Sequence, residues 1–266
     1  MTRYSDSYGR SSSTLKPFSA LIARFLLVST FLEDAVRIIM QYNDQMAFLK
    51  EYRNFSHFTS FSFLSINVLL MLACSAMAMA KVKTNIACIG LMTVVLLQAI
   101  GYGLVLNFSF MLRNASLIGA VLMLLSESMI PARRKSIFPG LPVITERGKA
   151  KYITLMGRIM LICLFLSISF AGEMTLTRGL FTVFTLILSL LVIVGFKAQY
   201  SAILLLSILS VSNFILNDWW SLHHQHPSRD YLKYDFFQTM SVIGGLLLLV
   251  NHGPGGMSID EKKKEF

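Results

Sequence analysis

The sequence predicts an all-α fold: a polytopic transmembrane helical bundle of about eight spans. Three observations predict it. Of 266 residues, 55% are hydrophobic and 14% are charged, against about 25% charged in a soluble domain. Long apolar runs recur, as at 86–108, 117–125 and 203–209, and a bilayer crossing needs roughly 20 predominantly apolar residues. Two pairs of segments also repeat between the halves of the chain, which fits a bundle assembled from two similar units.

Residues 1–17 are polar and serine-rich and lack the apolar core and cleavage site of a signal peptide. They read as a disordered cytosolic tail. Spans follow at about 18–40, 58–80, 86–107, 110–130, 152–170, 178–195, 200–216 and 235–251. Charges interrupt the first and fourth. A basic loop, 131–151, separates the first four-span half (18–130) from the second (152–251), and 252–266 form a second cytosolic tail. Cys74, Cys88 and Cys163 lie in apolar runs and read as free buried thiols.

Lys and Arg set the orientation. With the N-terminus in the cytosol, 15 of them fall on cytosolic segments and 5 on the other side. Positive charge favours the cytosolic face, so both termini are expected there. The net charge of +10 then reports topology and contact with anionic membrane lipids, not nucleic acid.

The repeat rests on two matches. The segment from Arg24 to Leu32 resembles that from Arg158 to Leu166, at an offset of 134. The segment from Ser116 to Leu125 resembles that from Ser241 to Val250, at an offset of 125. Four spans per half is an even number, so the two repeats would be parallel. Gly119, Gly244 and Gly245 read as sites of close helix packing.

The chain ends Lys262-Lys263-Lys264-Glu265-Phe266, after the helix-ending stretch His252-Gly-Pro-Gly-Gly256. Lys263 and Lys264 stand fourth and third from the last residue. Two ammonium groups at a fixed distance from a free carboxylate form a pattern a receptor can read. It matches the dilysine retrieval signal bound by the COPI coat. A lipid anchor fits less well, because Glu261 and Glu265 cancel charge that a membrane surface would favour.

Three further stretches complete a resemblance: Ser29–Asp34 with Arg37, Met111–Asn114 leading to Ser126-Glu127-Ser128, and Tyr231–Gly245, "YLKYDFFQTMSVIGG". With the tail they resemble the surfeit locus protein 4 family of ER cargo receptors, over about Arg24 to the end. More distantly the chain resembles bacterial DoxX-type four-helix membrane proteins. The resemblance implies a receptor of the ER membrane that binds soluble secretory proteins in the lumen through their N-terminal signals. It would load them into COPII vesicles, cycle through the ER–Golgi intermediate compartment and cis-Golgi, and return by COPI retrieval. The resemblance leads one to expect Trp at Phe266; Phe keeps a bulky apolar end.

Ionisable groups inside spans are functional candidates by default. Glu33, Asp34 and Arg37 fall in the lumenal third of the first span, with Arg113 opening the fourth and Asp235 the eighth. Asp218, Trp219, Trp220 and Tyr234 flank them. Carboxylates and aromatic faces complement a free N-terminal amine beside apolar side chains. On this reading Glu33, Asp34, Asp218 and Asp235 take the amine and Trp219 and Trp220 hold the apolar groups. Glu33 is expected to pair with Arg37 at i,i+4, leaving Asp34 as the principal acid. The competing reading is mutual neutralisation of Arg37 with Glu33 and of Arg113 with Asp235, with the aromatics forming an interfacial belt.

His223, His224 and His226 read as a solvated loop, with pH sensing as a further option. No zinc-ligand spacing surrounds them. Asn54-Phe-Ser56 and Asn107-Phe-Ser109 are formal glycosylation sequons. No catalytic constellation, metal site or cofactor motif is present, so an enzyme is not expected. A lipid-moving or small-solute transporter of the early secretory pathway is the alternative, and a homo-oligomer is compatible with the sequence.

Overall fold

The computed structural model describes residues 3–129, 144–170, 176–223, 226, 228–253, 255 and 257–259. Among them the chain is helical and forms no strand. The helices are α1 (Arg3–Met40), α2 (Tyr42–Arg53), α3 (His57–Ala80), α4 (Thr84–Gly101), α5 (Phe108–Met129), α6 (Ile144–Leu161), α7 (Cys163–Phe170), α8 (Leu176–Val194), α9 (Ala198–Leu216) and α10 (Arg229–His252). α1 begins inside the segment read as a tail. α6 and α7 together make the expected fifth span, broken at Ile162. α2 matches no expected span.

Five stretches are long and apolar enough to cross a membrane on their own: His57–Ala80, Thr84–Gly101, Phe108–Met129, Gly148–Ile168 and Ala198–Leu216. Gly179–Val194 is a shorter apolar helix. α1 and α10 were also read as spans, but buried polar groups lower their apolar character. These are Arg24, Glu33 and Asp34 on α1, and Asp235 and Gln238 on α10. The two helices lie against each other, which hides those groups inside the bundle.

The turns show why the helices end where they do. Ser56 accepts a hydrogen bond from the Thr59 N–H and starts α3. The turns before α4 and α9 follow one plan: Lys83 (φ 44°) and Lys197 (φ 45°) both start their helix from the left-handed region. Two residues earlier, Lys81 (φ 58°) and Gly195 (φ 75°) share that region.

Packing repeats as well. A Cβ on Gly119 would sit 3.0 Å from the Gly157 carbonyl and 2.8 Å from the Leu161 nitrogen, pressing α5 onto α6. A Cβ on Gly244 would sit 2.6 Å from both the Ala23 carbonyl and the Leu27 nitrogen, pressing α10 onto α1. The offsets of 125 and 134 relate each member of one contact to its counterpart in the other. Gly245 lies against Ala120, which is its own counterpart. Lipid offers no hydrophobic drive between helices, so such close approaches hold them together by contact.

Arg24 and Arg158 are counterparts in the same sense. Arg24 donates to the Ala78 carbonyl at 3.3 Å, in the last turn of α3. Arg158 donates to the Val192 carbonyl at 3.2 Å, in the last turn of α8. Helix C-terminal carbonyls lack partners within the helix and favour a cation. The counterparts differ in their second contact. Arg24 pairs with Glu127 at 2.7 Å, and Arg158 donates to the Met257 carbonyl at 3.0 Å.

Candidate functional site

At the end of the bundle expected to face the lumen, α1 and α4 finish and α10 begins. A cavity of about 460 Å³ opens there. α1 contributes Asp34 and Arg37, α2 contributes Asp44, Gln45 and Phe48, α4 and its end contribute Gln98 and Tyr102, and α10 contributes Asp230, Tyr231 and Tyr234.

α2 forms one wall because Arg53 fastens it in place. The guanidinium donates to the Gly101 carbonyl at 3.0 Å and the Ile100 carbonyl at 3.2 Å, at the C-terminus of α4. Gly103 is required for that contact. It has φ 71°, and a Cβ there would sit 2.6 Å from the guanidinium. Leu49 is fully buried beneath α2, and Phe48 lies 6.0 Å from the Tyr102 ring.

The ion pairs differ from the expected ones. Arg37 pairs with Asp34, not Glu33. Asp34 also accepts from the Gln98 amide at 2.7 Å, and Arg37 lies over the Tyr234 ring at 5.7 Å. Glu33 instead meets Lys233 of α10 at 3.2 Å. Positions i+3 and i+4 share a helix face, and the choice between them is settled by α10, which brings a cation to Glu33. Arg113 and Asp235 pair with each other, as the competing reading held.

Asp218, Trp219 and Trp220 do not line this cavity. Asp218 accepts from the Ser221 hydroxyl at 2.7 Å and shapes its own turn. Trp219 receives Arg229 and Lys233 of this same chain on its ring, at 5.3 and 5.7 Å. Trp220 is half exposed and packs on Phe236. The aromatic surfaces of the cavity are those of Phe48, Tyr102, Phe110, Tyr231 and Tyr234, and of these only Tyr234 was expected.

Asp44 and Asp230 are exposed at the cavity. The Asp230 carboxylate accepts from the Gln41 amide at 2.9 Å. Burial, reinforced by the Asp34 carboxylate, pushes the Tyr102 phenol up to about 12. It therefore stays neutral and is a hydrogen-bond donor as well as an apolar face. The cavity thus offers acceptors at its mouth and aromatic faces within.

Comparison with known proteins decides the family. The SURF4 family model matches residues 1–266. The chain belongs to the SURF4 family. It is 42% identical to a surfeit locus protein 4 homolog of Schizosaccharomyces pombe over 252 residues, 94% of this chain and 83% of that one. It is 39% identical to a surfeit locus protein 4 homolog of Drosophila melanogaster over 245 residues, 92% of this chain and 90% of that one. It is 37% identical to the ER-derived vesicles protein ERV29 of Saccharomyces cerevisiae over 255 residues, 95% of this chain and 79% of that one. No solved structure matches.

In this SURF4-family chain, sequence reasoning missed the residues of α2 and Asp230. A signal for α2 was present: Asp44 in the first turn, Lys50 and Arg53 in the last, and Met46 and Leu49 on one side. The retrieval residues Lys262, Lys263, Lys264 and Phe266 lie outside the described residues, as does His224. His226 accepts from the Ser228 N–H. Among the described residues no group of three His, Cys, Asp or Glu is placed to hold a metal.

Proposed function

We propose that this protein is a cargo receptor of the ER membrane that captures soluble secretory proteins by their exposed N-terminal segments and carries them toward the Golgi. Membership of the SURF4 family supports the receptor role. The observation that carries the mode of capture is the cavity between α1, α2, α4 and α10, with exposed carboxylates at its mouth and aromatic walls. An N-terminal ammonium pairs with Asp44 and Asp230 and lies against aromatic faces. Asp34 is already engaged by Arg37 and Gln98, so it acts as a positioning residue that fixes the rear wall.

The proposal extends to traffic. The receptor enters COPII vesicles with its cargo, and COPI returns it by reading Lys263 and Lys264, with both termini in the cytosol. The positive-inside distribution of charge supports that orientation.

Site-specific photocrosslinking tests the central claim. A photoreactive residue at Phe48 should capture a secreted cargo in intact ER membranes and lose it when the first residues of the mature cargo are deleted. Capture indifferent to those residues would overturn the proposal.

A further inference from the structure

A second cavity, of about 290 Å³, lies between α5, α7, α9 and α10. It occupies the place in the second half that the first cavity occupies in the first. α4 and α9 start from the equivalent lysines Lys83 and Lys197. Counted along each helix, Gln98 corresponds to Ser212 and Tyr102 to Leu216. The offset that relates Arg24 to Arg158 relates Asp34 to Ile168. Asp34, Gln98 and Tyr102 line the first cavity, and Ile168, Ser212 and Leu216 line the second. At matching positions, a carboxylate, an amide and a phenol have become an alkyl group, a hydroxyl and another alkyl group.

The charged residues lining the second cavity, Arg113 and Asp235, are paired with each other. The site therefore presents no uncompensated charge to an occupant. Leu209 and Leu232 extend its apolar wall, and Asn217 supplies an amide. Tyr231 lines both cavities, so one aromatic side chain is the partition between them.

We propose that the second cavity is a subsite for an apolar side chain of the same peptide whose amine enters the first. This rests on the reading of the first cavity as the amine site. An extended peptide advances about 3.3 Å per residue, so the second or third side chain reaches past one tyrosine ring. A dry cavity of about 150 Å³ accepts a benzene ring, and this one is larger. The paired Arg113 and Asp235 make it unsuited to a charged side chain, which would have to break that pair.

The test uses the full-length receptor in phosphatidylcholine nanodiscs with fluorescent decapeptides. One has alanine at its first three positions and a free amine. A second has leucine at positions two and three, and each is also made N-acetylated. Leucine should tighten binding about tenfold or more, the expected return for burying such a side chain. Ser212→Phe, which fills the cavity from α9, should abolish that gain. Thr239→Leu, which fills it from α10, should do the same. The all-alanine peptide reports whether either variant still folds and still senses the free amine.

A leucine gain that survives both variants overturns the subsite, as does no gain in the unaltered receptor while the free amine still matters. If neither variant binds the all-alanine peptide, the two cavities are not separable and the proposal falls. Binding indifferent to acetylation overturns the amine site and this inference with it. A photoreactive group at Ser212 that captures phospholipid and never peptide assigns the space to lipid and overturns the subsite alone.

Discussion

Asp34 and Gln98 are joined at 2.7 Å across the contact between α1 and α4. With Arg37 on the other side, this carboxylate has two partners inside the protein before any ligand arrives. Structural and ligand-facing acids at this end of the bundle are therefore different residues, although they line one cavity.

Asp34→Asn should lower stability before it affects recognition. It leaves the Arg37 guanidinium without its carboxylate, and breaking one side of a buried pair costs about 3–5 kcal/mol. Thermal unfolding in detergent should show a clear loss. Adding Arg37→Gln should restore part of it, because the stranded charge is gone. Unchanged stability in Asp34→Asn would refute the positioning role.

Asp44→Asn and Asp230→Asn should behave in the opposite way. Both carboxylates are exposed, so abundance and unfolding temperature should stay within error. Capture of a free-amine peptide should weaken about three- to tenfold for each, since exposed charge pairs contribute about 1 kcal/mol. The loss should shrink at high salt, which screens such pairs. Equal binding of the acetylated peptide by variant and parent would agree with this assignment.

Gly244→Ala places a methyl group 2.6 Å from the backbone of α1. The helices must separate, at about 1–3 kcal/mol for an overpacked contact. Gly119→Ala should cost a similar amount at the counterpart contact between α5 and α6. Gly148→Ala, where nothing lies within 4 Å, is the control and should be neutral or slightly stabilising. Unfolding midpoints of the three variants, measured side by side, check the ranking.

Replacing Lys263 and Lys264 with serine should move the steady-state pool from ER to Golgi membranes without changing peptide binding in nanodiscs. Fractionation and the decapeptide assay read the two effects separately. Retention in the ER would show that retrieval does not depend on these lysines.

Much of the architecture was legible in the sequence because lipid demands long apolar helices, and those are written plainly. The repeat was legible from a shared arginine and a shared Ser-x-Ile-Gly, and the structure shows what those residues do. Arg24 and Arg158 each hold the end of a neighbouring helix, and the glycines seat one helix on another. The pairing of Glu33 was not legible. Its partner Lys233 comes from α10, and nothing local to α1 distinguishes i+3 from i+4. Trp219 was misplaced for a similar reason: its ring is taken by Arg229 and Lys233, which a reading of composition could not position. α2 was passed over because a short helix with mixed polarity carries no membrane signal, although it supplies a wall of the cavity.

The union of α1 with α10 bears on how the molecule is made. α1 leaves the ribosome long before α10 has been translated, and its acidic turn then has no Lys233 to answer Glu33 and no tyrosine surface for Arg37. A nascent chain at that stage would need shelter from an insertase or chaperone until the last helix arrives. A stop codon shortly before α10 would therefore be felt at the opposite end of the polypeptide, as an opening helix with nowhere to settle.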